Sequence, residues 1–467
     1  MSGDPLAIQL ARFAAETTFE RLPREVVRSM QQRVLDTLGI CVAAHAQALG
    51  DGVADLVGGW GGQEASGVVG RPGRYPAPQA ALINGTLAHS LDFDDTHLPS
   101  VLHPSASIVP ATLAMAEAEG RSGAEAIAAA AVGVEVTVRV GMGGYLEDGG
   151  NIFFERGWHA TSICGTLGAA VAGGKLLGLD RDGIGHALGI AASMGSGVIE
   201  ANRAGGTVKR LHCGWAAHAG LTAALLARAG YTGPPTVLEG RFGFYKAFLD
   251  GQFDPAAVVQ GLGEQWELPG IFFKPYPANH YTHAGIDAAL TIRKKHRVDP
   301  ERIRRIELGA AAAALRTIGE PREEKIRPRS GYHAQFSGPF TVATALLGGG
   351  GLGVYFDDFT DERARDPARL RLAELVETFV DPACDRLFPR RFPAVVRVTL
   401  EDGTTHEERV MENRGGPGNP LSDDELRRKF TLNAEQALLP ARAERLAEAV
   451  FALDRADGVG HLPALTN

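Results

Sequence analysis

The stretch LAHSLDFDDTHLPSVLHPSASIVPATLAMA, residues 87–116, decides the fold of this chain and points to its chemistry. It places Asp92, Asp94, Asp95, His97 and His103 on a short connector between two segments rich in Ala and Leu. Apolar residues at helical spacing on both sides of the connector predict helices. Carboxylates and imidazoles crowded at a helix end shift one another's pKa, which gives an enzyme an acid and a base near neutral pH. The stretch therefore indicates a helical enzyme.

Three further segments combine polar residues with small ones. They are GWHATSICGTLGAA (157–170), GGTVKRLHCGWAAHAG (205–220) and KPYPANHYTH (274–283). In the first segment, His159 opens a predicted helix, whose N-terminus lowers the pKa of an imidazole and favours its neutral, basic form. In the second, Lys209, Arg210 and His212 precede a helix predicted to start near Cys213. Basic side chains beside the N–H groups of a helix N-terminus form a site for an anion.

The third of these segments surrounds a Pro-rich turn at a predicted domain junction. Lys274, His280 and His283 flank the two prolines Pro275 and Pro277. Clefts that bind small molecules form preferentially at such junctions. The segment is therefore a candidate part of a binding site.

The composition indicates a protein with a large core and several domains. The 467 residues are 45% hydrophobic and 22% charged, which suggests two or three domains. The net charge of −8 includes no basic block, so nucleic acid is not expected as a partner. The 59 glycines, several inside helical patterns at positions such as Gly165, Gly168 and Gly173, indicate close helix packing or space for a ligand.

Cysteine usage and the N-terminal sequence predict a cytoplasmic protein. The four cysteines are far apart and form no CxxC pair, which argues against a structural zinc site and against a disulfide scaffold. The first residues lack the basic and apolar regions of a signal peptide. The uncharged stretches are too short to predict a membrane span. We therefore expect neither a membrane nor a nucleic acid as a partner.

Hydrophobic periodicity predicts a mainly α protein, with a large all-helical domain and a smaller α+β domain. Residues 1–265 together with 412–467 form the helical domain, which is discontinuous, and residues 266–411 form the α+β domain. Ser422 and Glu425 form a predicted capping box where the chain returns to helix. The predicted helices are 24–44, 77–91, 104–119, 123–140, 159–177, 181–195, 213–229, 235–248 and 282–295.

Two kinds of signal predict strands in the smaller domain. The segment Ile303–Leu308 has the composition of a strand. Ala394–Leu400 and Thr405–Val410 alternate apolar and polar residues on either side of Asp402-Gly403, which is a strong hairpin signal. The smaller domain is therefore α+β rather than helical.

The aspartate cluster allows three interpretations. Its carboxylates could simply cap the next helix. The D-x-D-D pattern is similar to the magnesium motifs of terpenoid synthases, but these need a second acidic cluster, and Glu135 beside Arg139 looks like a charge pair while Glu239 is a solitary acid. In the third interpretation, Asp92 orients or activates His103 for acid–base chemistry without a metal. The absence of a clear second acidic cluster favours the third interpretation, and we expect no metal and no cofactor.

Together these segments resemble the MmgE/PrpD family over nearly the whole chain. The family includes 2-methylcitrate dehydratase, cis-aconitate decarboxylase and iminodisuccinate epimerase. The resemblance is carried by RLPREVVRSMQQRVLDTLGICVAAH, AHSLDFDDTH, RGWHATSICGTLGAA, GGTVKRLHCGWAAHAGLTAALLARAGYTGP, KPYPANHYTHAGIDAAL and NPLSDDELRRKF. It implies a helical domain, a smaller α+β lid domain, a homodimer, and a site in the cleft between the domains that needs no metal.

The resemblance also implies which residues act, and how. The shared reaction step is the removal or delivery of a proton at a carbon next to a carboxylate. His103 or His159 would move the proton, Asp92 would position the base, and Lys209 with Lys274 would hold the carboxylates of a small anionic substrate. By position, the family's site residues correspond to Asp92, Thr96, His103, His159, Lys209 and Lys274.

Two departures bear on the activity within the family. Decarboxylase-like members carry a histidine five residues after the lid lysine, where this chain has Asn279 followed by His280. Many members carry a tyrosine in the segment where this chain has Phe340. We therefore expect a hydro-lyase that resembles 2-methylcitrate dehydratase, with His280 as a substrate-binding residue. The alternatives are an isomerase or epimerase of an iminodisuccinate-like dicarboxylate, a cis-aconitate-type decarboxylase, and a non-catalytic carboxylate-binding protein.

Overall fold

The chain divides into two compact units. A computed structural model describes residues 3–146, 150–201 and 206–467. The first unit comprises Met1–Ile271 and Leu426–Asn467, and the second comprises Phe272–Glu425. The larger unit is therefore assembled from both ends of the chain.

The first unit is predominantly helical. Its longer helices are Leu6–Glu16, Arg24–Ala46, Asp51–Gly58, Ala77–His89, Ser105–Ala118, Gly123–Gly143, Ala160–Leu176, Arg181–Ala191, Val208–Arg228, Asp423–Ala434 and Pro440–Phe451. The boundary between the units falls in the first turn of Asp423–Ala434. Its shorter helices are Ile152–Glu155, Phe244–Leu249, Pro255–Val259 and His461–Ala464.

The prediction of an all-helical domain is wrong in detail, because this unit also contains short antiparallel strand pairs. Ser66–Val68 pairs with Arg71–Tyr75, and Tyr145–Leu146 pairs with Gly150–Asn151. Gly70 turns the first pair with φ +74°, a conformation that residues with a Cβ rarely adopt. Strands of two to five residues are too short to give a periodic signal in the sequence.

Two of the predicted helices start at least five residues away from their predicted positions. The helix predicted over 235–248 is wrong: only Phe244–Leu249 is helical, because the preceding residues form turns in which Gly243 donates to the carbonyl oxygen of Gly240. The helix predicted from Cys213 begins earlier, at Val208, without a side-chain cap to mark its start. The helix Gly123–Gly143, in contrast, begins at the capping box formed by Ser122 and Glu125.

Glycines allow the helices of the first unit to pack closely, which confirms one of the two interpretations of their number. A Cβ at Gly165 would lie 2.6 Å from the Ser107 hydroxyl, and one at Gly173 would lie 2.8 Å from Leu221. Another close crossing joins Ala77–His89 to Val208–Arg228, where a Cβ at Gly85 would lie 2.7 Å from the Cα of Gly214. This crossing sets the positions of the two helices, and of their ends, relative to each other.

One helix among the described residues, Gly123–Gly143, is by itself long and apolar enough to cross a membrane. Of its most apolar 18-residue window, 94% is buried inside the structure. It has the burial of a core helix.

The second unit is built on a four-stranded sheet. The strand order is Val376–Val380, Ile303–Ala310, Ala394–Leu400, Thr405–Val410; the first two strands are parallel and the other neighbours antiparallel. The predicted hairpin is confirmed with its strand bounds, and Gly403 in its turn has φ +85°. The strand predicted over Ile303–Leu308 is confirmed and extends to Ala310.

Helices cover this sheet and complete a hydrophobic core. The helices of the second unit are His283–His296, Ala312–Ile318, Arg322–Ile326, Gly331–Ala334, Gly338–Leu347, Pro367–Glu374 and Pro382–Leu387. Ile306, Val396 and Phe340 lie in the same buried cluster, so the sheet and the helix Gly338–Leu347 share one core. The α+β character predicted for this region is confirmed. The predicted capping box is also present, with the Glu425 N–H donating to Ser422 Oγ over 3.2 Å.

We predict opposite effects of the same substitution at two glycines. Gly214→Ala should lower the free energy of unfolding by about 1–3 kcal/mol, because the new methyl group would meet the Leu82 carbonyl oxygen and the Thr86 N–H. Gly52→Ala, at an exposed helical position with no atom within 4 Å of the new Cβ, should raise it by about 0.5–1 kcal/mol. Urea unfolding of both variants tests this, and equal effects would contradict close packing at Gly214.

Candidate active site

Residues 90–104, called the aspartate loop here, connect the helices Ala77–His89 and Ser105–Ala118 in the first unit, as predicted. Buried ionic contacts hold the loop. Asp95 pairs with Arg33 over 2.8 Å, and its other carboxylate oxygen accepts from the Ser105 N–H over 3.1 Å. Lys429 pairs with Asp36 over 2.7 Å and donates to the Phe93 carbonyl oxygen over 3.0 Å. Asp95 therefore has the capping role of the first interpretation.

His103 is held in one tautomer by the loop that carries it. Its Nδ1 lies 2.6 Å from the backbone carbonyl oxygen of Asp95 and 3.4 Å from the Thr96 hydroxyl oxygen. A carbonyl oxygen only accepts, so Nδ1 carries the hydrogen and the neutral ring has its lone pair on Nε2. The His103 N–H also donates to Thr161 over 3.2 Å, which ties the loop to the helix Ala160–Leu176. The side chain is 15% exposed, so it is accessible to a ligand.

His89, which is not among the predicted site residues, belongs to the same cluster. Its Nδ1 lies 2.7 Å from Oδ2 of Asp94, and its ring centroid lies 5.4 Å from that of His103 and 5.5 Å from that of His159. The ring is fully buried. His89 follows Gly85 by four residues and so lies on the helix face that meets Val208–Arg228. The four-residue separation from Gly85 is therefore the sequence feature that places His89 near the helix crossing.

His159 and His212 are hydrogen-bonded to each other. Their Nδ1 atoms are 2.9 Å apart and their ring centroids 5.0 Å apart. His159 is the N-cap residue of Ala160–Leu176, as predicted. Burial, together with the nearby His89 and Lys209, lowers the pKa of the His159 imidazole well below its usual range. The same causes lower the pKa of His212 to about 4, so both rings are neutral at pH 7.

Lys209 and His212 lie inside the helix Val208–Arg228, which corrects the prediction that they precede it. Three residues apart, they share one helix face. Lys209 Nζ donates to Oδ1 of Asp92 over 3.0 Å, and both side chains are largely buried. Asp92 has φ +52°, a left-handed conformation that Asp tolerates better than most residues. Gly205, the first residue of the second sequence segment, lies outside the described residues.

The role of Asp92 toward His103 stays a prediction, and the structure adds a second carboxylate. Oδ2 of Asp94, which binds His89, lies 4.0 Å from Nδ1 of His103. The first unit thus brings together five of the predicted site residues, which are Asp92, Thr96, His103, His159 and Lys209. Asp94, His89 and His212 lie in the same cluster.

Lys274 and His280, the two remaining predicted site residues, belong to the second unit. Lys274 is buried. The His280 ring contacts Phe272 and Phe392, with centroid distances of 5.3 Å to each, and Asn279 caps its short helix by accepting from the Tyr281 N–H over 3.1 Å. Their predicted roles in binding a substrate stay predictions.

Phe340, the second departure from the family pattern, is fully buried in the second unit. It lies in the hydrophobic core, with its ring 6.5 Å from that of Phe359. The aromatic ring at this position therefore serves packing within its own unit.

One group among the described residues has the spacing of a metal site. Ligand atoms of His89, Asp94 and Cys213 all lie within 4.8 Å of one another. Burial raises the pKa of the Cys213 thiol well above its usual range, and a metal would require the thiolate. The acids considered for a second cluster are engaged elsewhere: Glu135 pairs with Arg139 over 2.7 Å, and Glu239 accepts from the Leu6 N–H.

The lowered pKa of His212 predicts a pH dependence of stability. Between pH 6.5 and about 4 the unfolded chain binds a proton at this ring that the folded protein does not, so acid destabilises the folded state. His212→Asn should remove up to about 1.4 kcal/mol per pH unit from the fall in unfolding free energy between pH 6.5 and 5. Urea unfolding at several pH values measures this, with His461→Asn at an exposed position as the control. Equal pH dependences of wild type and His212→Asn would contradict a neutral buried ring.

Comparison with known proteins agrees with the resemblance. Residues 8–256 match the MmgE/PrpD N-terminal domain, and residues 276–455 match the MmgE/PrpD C-terminal domain. The chain is 31% identical to cis-aconitate decarboxylase of Mus musculus, over 92% of this chain and 86% of the relative. It is 30% identical to cis-aconitate decarboxylase of Homo sapiens, over 93% and 88%. It is 28% identical to the cis-aconitate decarboxylase-like protein oryM of Aspergillus oryzae, over 98% and 96%. The chain belongs to the MmgE/PrpD family.

Proposed function

We propose that this protein is a lyase that releases CO₂ from a small unsaturated tricarboxylate such as cis-aconitate and delivers a proton to a carbon next to a remaining carboxylate. The observation that carries the proposal is that one histidine-rich cluster contains both an accessible His103 in a fixed tautomer and the buried Lys209, which is paired with Asp92. The relatives named cis-aconitate decarboxylase cover nearly the whole chain and support the choice of substrate.

The chemistry of decarboxylation matches these residues. When CO₂ leaves, the electron pair of the broken C–C bond stays on the substrate, and an adjacent C=C bond spreads the charge toward another carboxylate. A fixed ammonium group such as that of Lys209 stabilises this developing charge. A neighbouring imidazole then supplies the proton that completes the product. His103 and His159 are the candidates for that proton transfer.

The two departures from the family pattern carry less weight than the sequence suggested. Phe340 lies in a core, and Asn279 caps a helix. Neither observation favours water loss over CO₂ loss. The predicted hydro-lyase and epimerase activities use the same proton transfer, so they are outcomes of the same test. The predicted homodimer and the roles of Lys274 and His280 rest on family resemblance.

The test of the activity is proton NMR in D₂O with cis-aconitate, 2-methylcitrate, citrate and an iminodisuccinate-type compound, on protein treated with a chelator. We expect consumption of cis-aconitate and a product with deuterium on the carbon next to a carboxylate. Lys209→Gln should abolish the signal, while Lys246→Gln, at an exposed position, should leave it unchanged.

An alkene formed from 2-methylcitrate would instead establish a hydro-lyase, and exchange without product would establish an epimerase. Ligand-induced stabilisation without turnover would indicate a binding protein, and loss of activity with the chelator would point to the His89, Asp94 and Cys213 group.

His103→Asn separates the chemical role of this ring from its structural role. The Asn amide can still donate to the Asp95 carbonyl oxygen but has no counterpart of Nε2. We expect kcat/KM to fall by about 10²–10⁴-fold with the melting temperature nearly unchanged. Turnover measured beside thermal unfolding checks this, and a variant with wild-type kcat/KM would remove His103 from the mechanism.

A further inference from the structure

The contact between His159 and His212 permits a single hydrogen between the two rings. Each Nδ1 is either a donor or an acceptor, and a 2.9 Å separation with both as donors would place two hydrogens in the same space. The two rings therefore have different tautomers when both are neutral. If His159 carries the shared hydrogen, its Nε2 has the lone pair, and His212 carries its hydrogen on Nε2.

The surroundings hold this pair neutral at rest but can accommodate a charge when an anion binds. Positive charge near the pair comes from Lys209 and, when protonated, from His89 and His103, and these groups oppose protonation of His159. The carboxylates of Asp92 and Asp94 offset part of this positive charge, since they bind Lys209 and His89 directly. His212 is 6% exposed and His159 1%, so His212 is the ring nearer to solvent. An arriving carboxylate would favour the protonated pair.

We propose that His212 is a positioning residue for His159, sharing one hydrogen with it so that His159 can gain or release a proton on Nε2 while the charge is carried by His212. The shared hydrogen follows from the geometry alone, and the catalytic consequence rests on the proposed function. His212 was considered in the sequence only as part of an anion site.

The proposed proton transfer balances in both directions. When Nε2 of His159 takes a proton from a carbon acid, the C–H electron pair stays on the carbon. The Nδ1 hydrogen of His159 moves to Nδ1 of His212, which already carries a hydrogen on Nε2. His159 ends neutral and His212 ends as the imidazolium. Delivery of a proton to the carbanion left by CO₂ loss is the reverse and leaves both rings neutral. A proton from solvent then binds Nε2 of His159, and the shared hydrogen returns to Nδ1 of His212, which restores the protonated pair.

The first experiment needs no substrate. In a long-range proton–nitrogen correlation spectrum of the ¹⁵N-histidine-labelled protein at pH 7, the signals that disappear in His212→Asn identify that ring. We expect one ring of the pair to be protonated on Nδ1 and the other on Nε2. Two rings that are both protonated on Nε2 would overturn the proposal, whatever the protein's activity.

The second experiment measures turnover of cis-aconitate by His212→Asn. The Asn amide can still hydrogen-bond to Nδ1 of His159 but cannot carry a proton, so kcat should fall about 100-fold while KM stays within about threefold. His218→Asn is the matched control, since His218 lies on the same helix and donates to the Pro78 carbonyl oxygen over 3.0 Å. Wild-type kcat in His212→Asn would overturn the positioning role. If the wild type itself turns over no substrate, the proposed function fails, and the tautomer measurement still decides whether the hydrogen is shared.

Discussion

The buried salt bridge between Arg33 and Asp95 is the contact on which the arrangement of the cluster depends. Isolated ions in a protein interior cost several kcal/mol each, and a buried pair is tolerated only when further hydrogen bonds satisfy both partners. Here Arg33 also donates to the carbonyl oxygens of Leu268 and Ile271, and Asp95 accepts from Ser105. Because the backbone carbonyl of Asp95 binds Nδ1 of His103, the salt bridge that fixes the aspartate also fixes which nitrogen of that ring is basic.

The cluster combines neutral imidazoles with one paired cation, which links ligand binding to proton uptake. Burial lowers the pKa of both His159 and His212, and Lys209 adds to the effect. A carboxylate placed beside these rings would act in the opposite direction, since negative charge favours the imidazolium. Binding of a polycarboxylate would therefore be accompanied by protonation of the cluster, and each would strengthen the other.

Much of the fold and part of the cluster could be predicted from local sequence, and the failures have physical causes. The hairpin around Gly403 was predictable because two adjacent segments and a turn carry the whole signal. The strand Val376–Val380 was not, because it pairs in parallel with a strand about seventy positions earlier. The contacts of His89 and His212 with His159 were not predictable, because the three rings are far apart in the sequence and only the packing of their helices brings them together.

The crossing at Gly85 and Gly214 also limits how this protein can evolve. A substitution that enlarges one residue in a packed pair is often rescued by a smaller partner, but neither of these residues can become smaller. No second substitution within the pair can therefore compensate for a larger residue at either position. The helices that carry His89 and Lys209 must keep their mutual position. Changes in substrate preference would then have to come from side-chain substitutions that leave this crossing in place.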